Sequence, residues 1–351
     1  MKPKILVTGG AGYIGSHTVV ELANAGFEPI ILDDLCNSSE FALKGIEKIL
    51  GYSPEFHKID LLDYTQLENF LSQTEIHATI HFAAYKAVGE SVLNPLKYYR
   101  NNLDSLINLL FLLKDKSRNF IFSSSCTVYG QPDHLPVTEE SAFQKAESPY
   151  GFTKQVGERI LSDSVKSEKY KVIALRYFNP VGAHPSSFIG ELPLGVPQNL
   201  VPFITQAAIG KRASLTVYGN DYPTPDGSCI RDYIHVVDVA KAHVKACQHL
   251  LQNPINESEQ GIFEYYNLGT GKGNSVLEVI QTFERVNGLK LPYHIGPRRP
   301  GDVIQIWGDV QKAQKYLGWN AELDLENMME TAWKWELYLK EHANEIQSLQ
   351  G

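Results

Sequence analysis

The sequence predicts an α/β protein in which a doubly wound parallel sheet is accompanied by a smaller, discontinuous C-terminal domain. Three observations lead to this prediction. Short apolar runs alternate with stretches of helical spacing, the first apolar run ends in a cluster of glycines, and the regular alternation stops after Phe178. The chain has 351 residues, 43% of them hydrophobic, which is enough for two domains or one enlarged domain.

The predicted strands are short apolar runs that end in small or acidic residues. The first two are KILVTGG and EPIILDD, and between them HTVVELANAG has helical spacing and ends at Gly26. Three later runs repeat the pattern: HATIHFAA, RNFIFSSS and KVIALRYFNP. Strands that alternate with helices indicate parallel pairing with helices on both faces. Residues 106–113, LINLLFLL, are apolar nearly all round, so we expect a helix buried against the sheet.

The predicted domain division falls near residue 180. Residues 1–180 form the first domain, and the next segment, NPVGAHPSSFIGELPLGVPQN, is rich in proline and glycine without periodic apolar residues. Later runs, YIHVVDVAKAHVKAC and YYNLGTG, again suggest strands or helices, so segments near 230–260 should return to the first domain. Residues 181–351 otherwise form the substrate-binding domain, which closes with the helical pattern LENMMETAWKWELYLKEHANEI.

Bulk composition excludes several classes of protein. A formal net charge of −8 argues against nucleic-acid and membrane-surface partners, which usually require a basic patch. The four cysteines are far apart and form no Cys-x-x-Cys pair, so neither a metal site nor a disulfide is expected. The apolar run in the first residues, MKPKILVTGG, is too short for a signal peptide. No apolar run in the sequence approaches the ~20 residues that span a bilayer. We therefore expect a soluble cytoplasmic protein.

The glycine cluster has the spacing of a dinucleotide-binding loop. Gly9, Gly12 and Gly15 follow the first strand and open a helix, which allows a tight turn and close approach of the backbone to a pyrophosphate. The free N–H groups of the helix then point at the phosphates. Asp33 ends the second strand, where a carboxylate suits the ribose hydroxyls of NAD and would repel a 2′-phosphate. The sequence thus predicts a Rossmann-type domain that binds NAD.

The stretch SPYGFTKQVGE places Tyr150 and Lys154 one helical turn apart on the same face. A lone pair of this kind is usually surface packing, but next to a nicotinamide it suits a base. A cation ~4 Å away is worth about 4 kcal/mol at an effective dielectric of ~20. Lys154 together with the positive ring of oxidised nicotinamide would therefore lower the pKa of the tyrosine from ~10 toward neutral, as a base requires. Ser125, at the end of a strand in FSSSCTVYG, is expected to place its hydroxyl near the same point.

Several longer stretches resemble known proteins. The glycine motif, SSSCTVYG and SPYGFTK resemble the extended short-chain dehydrogenase/reductase family, and GGAGYIGSHT, LDDLCNSS, HFAAYKAVGESV, RYFNPVGAHP, YGNDYPTPDG and RDYIHVVDVA resemble its UDP-glucose 4-epimerases. The similarity runs almost from end to end. It implies interconversion of UDP-glucose and UDP-galactose by inversion at C4, through a 4-keto intermediate, with tightly bound NAD as transient hydride acceptor. It also implies a homodimer that uses residues near 106–113 and 150–162.

The resemblance assigns roles to matching positions. Tyr150 is the catalytic base, Lys154 its partner and Ser125 the third member. The positions that match NAD contacts are Gly9, Gly12, Tyr13, Ile14, Gly15, Asp33, Asn37, Ser38, Asp60, Leu61, Phe82, Ala83, Ala84, Lys86, Asn101, Ser125, Tyr150, Lys154 and Phe178. The positions that match nucleotide-sugar contacts are Lys86, Ser125, Tyr150, Asn179, Asn199, Leu200, Tyr218, Arg231, Arg299, Asp302 and Ile306.

Two departures from close relatives stand out. Ala84 and Tyr85 replace a common Gly-Leu pair, and because alanine is still small, little consequence is expected. Ile306 stands where many bacterial relatives place tyrosine, which implies slow activity on UDP-N-acetylhexosamines.

Two alternative functions are weighed against the epimerase. A nucleotide-sugar 4,6-dehydratase carries an Asp-Glu pair after the serine, where this chain has Cys126 and Thr127, and neither does the acid–base work of a carboxylate. A non-catalytic NAD-binding module could use the same fold, since fold does not fix function. The presence of both Tyr150 and Lys154 favours the enzyme.

Overall fold

The structure, a computed structural model, describes residues 2–253, 260–299 and 303–349. The strands within these ranges are β1 (Lys4–Thr8), β2 (Glu28–Asp33), β3 (Glu55–Lys58), β4 (Ala78–His81), β5 (Asn119–Ser125), β6 (Lys171–Tyr177), β7 (Asn179–Val181), β8 (Leu215–Tyr218), β9 (Ile230–Arg231), β10 (Tyr233–His235), β11 (Ile262–Leu268), β12 (Asn274–Ser275), β13 (Tyr293–Gly296) and β14 (Gln305–Ile306). The α-helices are α1 (Tyr13–Asn24), α2 (Glu40–Leu50), α3 (Tyr64–Gln73), α4 (Val88–Leu93), α5 (Pro95–Tyr99), α6 (Ser105–Leu113), α7 (Pro149–Glu168), α8 (Leu200–Ala208), α9 (Val236–Gln252), α10 (Val276–Asn287), α11 (Gln311–Leu317), α12 (Leu325–Glu341) and α13 (Ala343–Ser348).

One large parallel sheet of seven strands organises the chain, in the order β3, β2, β1, β4, β5, β6, β11. The sheet grows outward from β1 to β3 and then restarts on the other side of β1 with β4. This switch opens a crevice at the carboxyl ends of β1 and β4, where doubly wound sheets bind their ligands. The predicted fold class is confirmed.

The two faces of the sheet are covered by different helices. Along β1, the side chains of Ile5 and Val7 join one apolar cluster and Leu6 joins the other, as the alternation of a strand requires. Helices α1 and α9 pack together on the first face, and α6 packs on the second. In α6 the predicted burial against the sheet is confirmed, but Ile107 and Phe111 on its outer side are 45% and 58% exposed.

The regular alternation ends after β6, as predicted. Residues 182–199 form no helix or strand apart from an isolated bridge between Ala183 and Gly190. A separate apolar cluster then joins α8, α10 and α12 beside the short strands β8 and β13. The chain returns to the large sheet through α9 and through β11, which extends past the predicted segment of 230–260. The division near residue 180 stays a prediction. No helix among the described residues is long and apolar enough to cross a membrane.

Gly157 in α7 gives a test of how closely this helix packs on the sheet. A Cβ at this position would lie 2.7 Å from Cζ of Phe122, which is 3% exposed. Alanine favours a helix by about 1 kcal/mol over glycine, whereas overpacking a core costs about 1–3 kcal/mol. Gly157→Ala should therefore lower the free energy of unfolding by about 1 kcal/mol, measured by urea denaturation.

The matched control is Gly151→Ala in the same helix, where the new Cβ would meet its nearest neighbours at 3.5 Å. This variant should be as stable as the wild type or more stable. Equal stabilities of the two variants would contradict the close packing of α7 on Phe122.

Candidate active site

The loop between β1 and α1 lies at the carboxyl edge of the sheet and leaves room for no side chain. Gly9 has a φ of +70°, and a Cβ there would lie 2.7 Å from the backbone nitrogen of Ala83. A Cβ on Gly15 would collide with the carbonyl oxygen of Gly9. Helix α1 starts after Gly12 without a side-chain cap. Uncapped N–H groups beside a glycine loop fit a phosphate group.

The Asp33 carboxylate ties this loop to the end of β2. Its Oδ2 accepts a hydrogen bond from the N–H of Ala11 at 3.0 Å, and its Oδ1 accepts from Leu35 N at 2.9 Å and Ser38 Oγ at 2.7 Å. Burial raises the pKa of Asp33, and these three hydrogen bonds lower it in part. A carboxylate offers about four acceptor positions, so one remains for a ligand hydroxyl.

Most other residues of the predicted cofactor set follow neighbouring strand ends, and parallel strands place their carboxyl ends on one edge of the sheet. Asn101 is the exception, because it lies between α5 and α6. The residues of this set are Tyr13 and Ile14 at the start of α1, Asn37 and Ser38 after β2, Asp60 and Leu61 after β3, Phe82, Ala83, Ala84 and Lys86 after β4, Asn101 in a π-helical turn (Arg100–Asp104), and Phe178 after β6.

Ser125, Tyr150 and Lys154 come together where β5 and α7 meet. The hydroxyl of Ser148 accepts from Gly151 N at 3.1 Å and caps α7, so Tyr150 lies in the first turn of the helix. The Tyr150 hydroxyl is hydrogen-bonded to Ser125. One turn later, Nζ of the buried Lys154 donates to the carbonyl oxygen of Ser123 at 2.6 Å.

Burial shifts the pKa values of both Tyr150 and Lys154. Burial raises the pKa of Tyr150 to about 12, and its hydrogen bond with Ser125 lowers it only in part. Nζ of Lys154 lies 5.9 Å from the centre of the Tyr150 ring. Burial also lowers the pKa of Lys154 to about 8, against the raising effect of the Glu158 carboxylate. In the chain by itself, burial outweighs the Lys154 cation. The expected lowering of the Tyr150 pKa relied on Lys154 together with the positive ring of NAD, so it stays a prediction.

Sequence reasoning missed a buried ion pair behind Lys154. Glu158 accepts two hydrogen bonds from Arg176, at 2.9 Å from Nε and 2.6 Å from the terminal nitrogen, and both side chains are 3% exposed. Arg176 also donates to the Tyr129 hydroxyl at 3.0 Å. Glu158 follows Lys154 by four residues, so helical spacing was a usable signal for this carboxylate. Its partner on β6 had no such signal.

A second missed residue, Asn102, links the loop after β4 to helix α7. Its Oδ1 accepts from the N–H of Tyr85 at 2.8 Å, and its Nδ2 donates to the carbonyl oxygen of Tyr85 at 3.0 Å. The same amide donates to the Thr153 hydroxyl at 3.2 Å, next to Lys154. These bonds fix the distance between the loop that holds Lys86 and the helix that holds Lys154.

Three residues of the predicted substrate set meet around Asp232. The N–H of Asn179 donates to the carbonyl oxygen of Asp232 at 3.0 Å, and the N–H of Asp232 donates to the carbonyl oxygen of Ile306 at 3.1 Å. Arg231 pairs with Ile306 across β9 and β14. Ile306 is 4% exposed and packs in one apolar cluster with Phe178, which places it beside the predicted cofactor set.

The remaining substrate residues lie on separate elements. Asn199 precedes α8 and Leu200 is its first residue, while Tyr218 ends β8. The Arg299 guanidinium lies 5.7 Å from the centre of the Tyr218 ring. Asp302 lies outside the described residues.

Glu191, which no sequence pattern marked, connects two of the predicted ligand contacts. Its Oε1 accepts from Nζ of Lys86 at 3.0 Å and from Nδ2 of Asn199 at 2.7 Å. Lys86 belongs to both predicted sets, and Asn199 belongs to the substrate set. Glu191 therefore joins the crevice at β4 to the start of α8.

Comparison with known proteins gives consistent results. A model of the family described as GDP-mannose 4,6 dehydratase matches residues 6–332. The chain is 49% identical to the UDP-glucose 4-epimerases of Haemophilus influenzae and Bacillus subtilis, over 95% of this chain and 97% and 96% of theirs. A solved UDP-glucose 4-epimerase from Bifidobacterium longum, in complex with NAD+ and UDP, superposes with a TM-score of 0.90 at 45% identity, covering 95% of this chain and 98% of that one.

Proposed function

This chain belongs to the UDP-glucose 4-epimerases of the extended short-chain dehydrogenase/reductase family, and we infer that it interconverts UDP-glucose and UDP-galactose. The observation that carries this inference is that Ser125, Tyr150 and Lys154 come together where β5 and α7 meet, at the sheet edge that also holds the glycine loop. A relative of 45% identity was solved with NAD+ and UDP, which supports the same two ligands here.

The residues of the crevice fit NAD. The glycine loop and the uncapped start of α1 would hold its pyrophosphate, and Asp33 would accept from a ribose hydroxyl. When bound, NAD supplies a positively charged ring that takes the hydride from sugar C4 and returns it. Phe178, which follows β6, and Lys154, on α7, would border this ring.

In the reaction we propose, Tyr150 removes the proton of the sugar 4-hydroxyl and later returns a proton to the same oxygen. C4 is inverted because its opposite face receives the hydride in the second step. Ser125 holds the phenolic oxygen in position through its hydrogen bond. Lys154, anchored on the carbonyl oxygen of Ser123, keeps a positive charge near the phenol below pH about 8. The 4-keto sugar turns about its phosphate linkage between the two steps, so the anchors belong on UDP: Asn199, Arg231 and Arg299.

The alternatives have less support. The position after Ser125 holds Cys126, which is buried, and burial raises the pKa of its thiol to about 12. Such a thiol cannot take the role of a carboxylic acid in a 4,6-dehydratase. A non-catalytic module would not require the hydrogen-bonded Ser125–Tyr150 pair. Purified protein mixed with UDP-galactose and no added NAD should form UDP-glucose, detected by chromatography. A 4-keto-6-deoxy sugar nucleotide as the product would favour the dehydratase.

Tyr150→Phe tests the proposed base. The variant loses the proton acceptor but keeps the aromatic ring, so kcat should fall by about 100-fold or more while the fold and the NAD content are unchanged. Tyr52→Phe, at a tyrosine that is 49% exposed, is the control and should keep full activity. A Tyr150→Phe enzyme with more than about a tenth of the wild-type kcat would rule out this role.

Asp33→Ala tests the cofactor site. Wild-type protein purified without added nucleotide should release NAD on acid denaturation. Loss of three hydrogen bonds and of the ribose contact should weaken NAD binding at least about tenfold, and the retained NAD should fall accordingly. Asp34→Ala is the matched control, since its carboxylate accepts from the exposed Cys36 N–H at 3.0 Å, whereas that of Asp33 accepts from Ala11 in the glycine loop. Recovery of NADP, or equal NAD in both variants, would argue against the assignment.

Ile306 is proposed to set the space beside sugar C2. It is stiff at χ1 and fixed in the cluster with Phe178, yet it is smaller than tyrosine. We expect slow turnover of UDP-N-acetylhexosamines, suppressed by Ile306→Tyr and raised by Ile306→Ser, with differences of about 1–3 kcal/mol in relative kcat/KM. The measurement is kcat/KM for the UDP-hexoses divided by kcat/KM for the UDP-N-acetylhexosamines, in the wild type and in both Ile306 variants. An unchanged ratio would exclude Ile306 as the determinant.

We also propose a cytoplasmic homodimer that buries the outer sides of α6 and α7. Ile107, Phe111 and Phe152 are 45%, 58% and 47% exposed there, which is unusual for large apolar side chains in one region. Phe111→Glu should shift the protein from dimer to monomer in sedimentation velocity at micromolar concentration. Tyr316→Glu, at an equally exposed ring on α11, should stay dimeric. A monomeric wild type would contradict this proposal.

A further inference from the structure

Glu191 occupies an unusual place between the two ligand sites. One oxygen atom, Oε1, accepts both the ammonium group of Lys86 at 3.0 Å and the amide of Asn199 at 2.7 Å. The Glu191 side chain is 14% exposed, whereas Lys86 is 46% exposed. The carboxylate is thus the fixed member of the group, and the flexible lysine is held against it. Charge-assisted hydrogen bonds of this length are stronger than neutral ones.

The backbone of Glu191 is itself held rigidly. Its carbonyl oxygen accepts from the indole N–H of Trp335 at 2.8 Å, on helix α12. The preceding Gly190 lies so close to the Trp335 ring that a Cβ there would be 2.6 Å from ring atoms. Gly190 also bridges back to Ala183. Residue 191 therefore has a defined position although it lies in an irregular segment.

The two donors that Glu191 holds belong to different parts of the fold. Nζ of Lys86 also lies 5.8 Å from the centre of the Tyr13 ring, at the start of the glycine-loop helix. Asn199 precedes α8, but its side chain makes no capping hydrogen bond to that helix. An asparagine at an N-cap usually accepts from its own helix. Here its amide is turned to Glu191 instead, which points to a role other than capping.

We propose that Glu191 is a positioning residue that holds Lys86 and Asn199 in place for the diphosphate of the UDP-sugar. This inference rests on the proposed function. Without the carboxylate, the long side chain of Lys86 regains its rotational freedom, and binding the diphosphate must order it again. Glu191 touches neither the sugar nor the base Tyr150 in this role, so it should affect the binding of UDP-sugar far more than the chemical step.

Glu191→Gln separates the two donors. The new amide oxygen still accepts from Asn199, but the negative charge that holds the Lys86 ammonium is gone. The dissociation constant of UDP, measured by calorimetry at saturating NAD, and the KM for UDP-galactose should both rise about threefold to tenfold. The kcat should stay within about twofold of the wild type. The contact of Lys86 with the diphosphate is the same in the bound substrate and in the transition state, so its loss weakens both equally.

Glu330→Gln is the matched control. It removes an exposed ion pair with Lys334 of similar length, 2.7 Å, and should change none of these constants. The melting temperatures of all variants are compared, so that a shift in UDP affinity is not confused with a loss of folded protein.

A double-mutant cycle with Lys86→Met tests whether Glu191 acts through the lysine. In the Lys86→Met background, Glu191→Gln should weaken UDP binding no further. Fully additive effects of the two substitutions would overturn the proposal. Unchanged or tighter UDP binding by Glu191→Gln would also overturn it. Tighter binding would mean that the negative charge of Glu191 repels the diphosphate, so that removing the charge helps binding. If the wild type does not convert UDP-galactose at all, the proposed function fails; an active wild type with a normal Glu191→Gln variant rejects only the role of Glu191.

Discussion

Parallel pairing of β1 with both β2 and β4 is the constraint on which the site depends, because it places the carboxyl ends of these strands side by side. The glycine loop after β1 then meets the loop after β4 so closely that Gly9 has no room for a Cβ beside Ala83. Asp33 closes the same crevice from β2 by accepting the N–H of Ala11. The proposed phosphate site, the proposed ribose acceptor and the loop of Lys86 thus follow from one topological arrangement.

Helix α7 brings Tyr150, the proposed base, to this edge of the sheet, and the next turns of the helix are fixed by polar contacts. Lys154 donates to the carbonyl oxygen of Ser123, and one turn further along α7 Glu158 forms a buried ion pair with Arg176 of β6. Burial keeps Tyr150 protonated in the chain by itself, with a pKa of about 12. As the proposed base, Tyr150 would therefore need a positive charge close to its hydroxyl, and the ring of bound NAD would supply one.

Features that depend on neighbouring residues were readable from the sequence, and features that depend on distant contacts were not. The glycine loop and the Tyr150–Lys154 pair were predicted from spacing within one turn or helix, and Asp33 from its position at the end of the second predicted strand. Glu191 gave no signal, since its partners lie on either side of it in the chain and only the fold joins them. The burial that raises the pKa of Tyr150 was not readable either, because burial is a property of the packed structure.

The central claim is that hydride leaves sugar C4 and returns to the same carbon within one closed site. The most direct measurement uses UDP-galactose with deuterium at C4, incubated with the purified protein and no added cofactor, and follows the label by mass spectrometry and NMR. The account predicts UDP-glucose that retains the deuterium at C4 and no net change in cofactor oxidation state. UDP-glucose with solvent hydrogen at C4 would contradict it, because the hydrogen would then have left the site between the two steps.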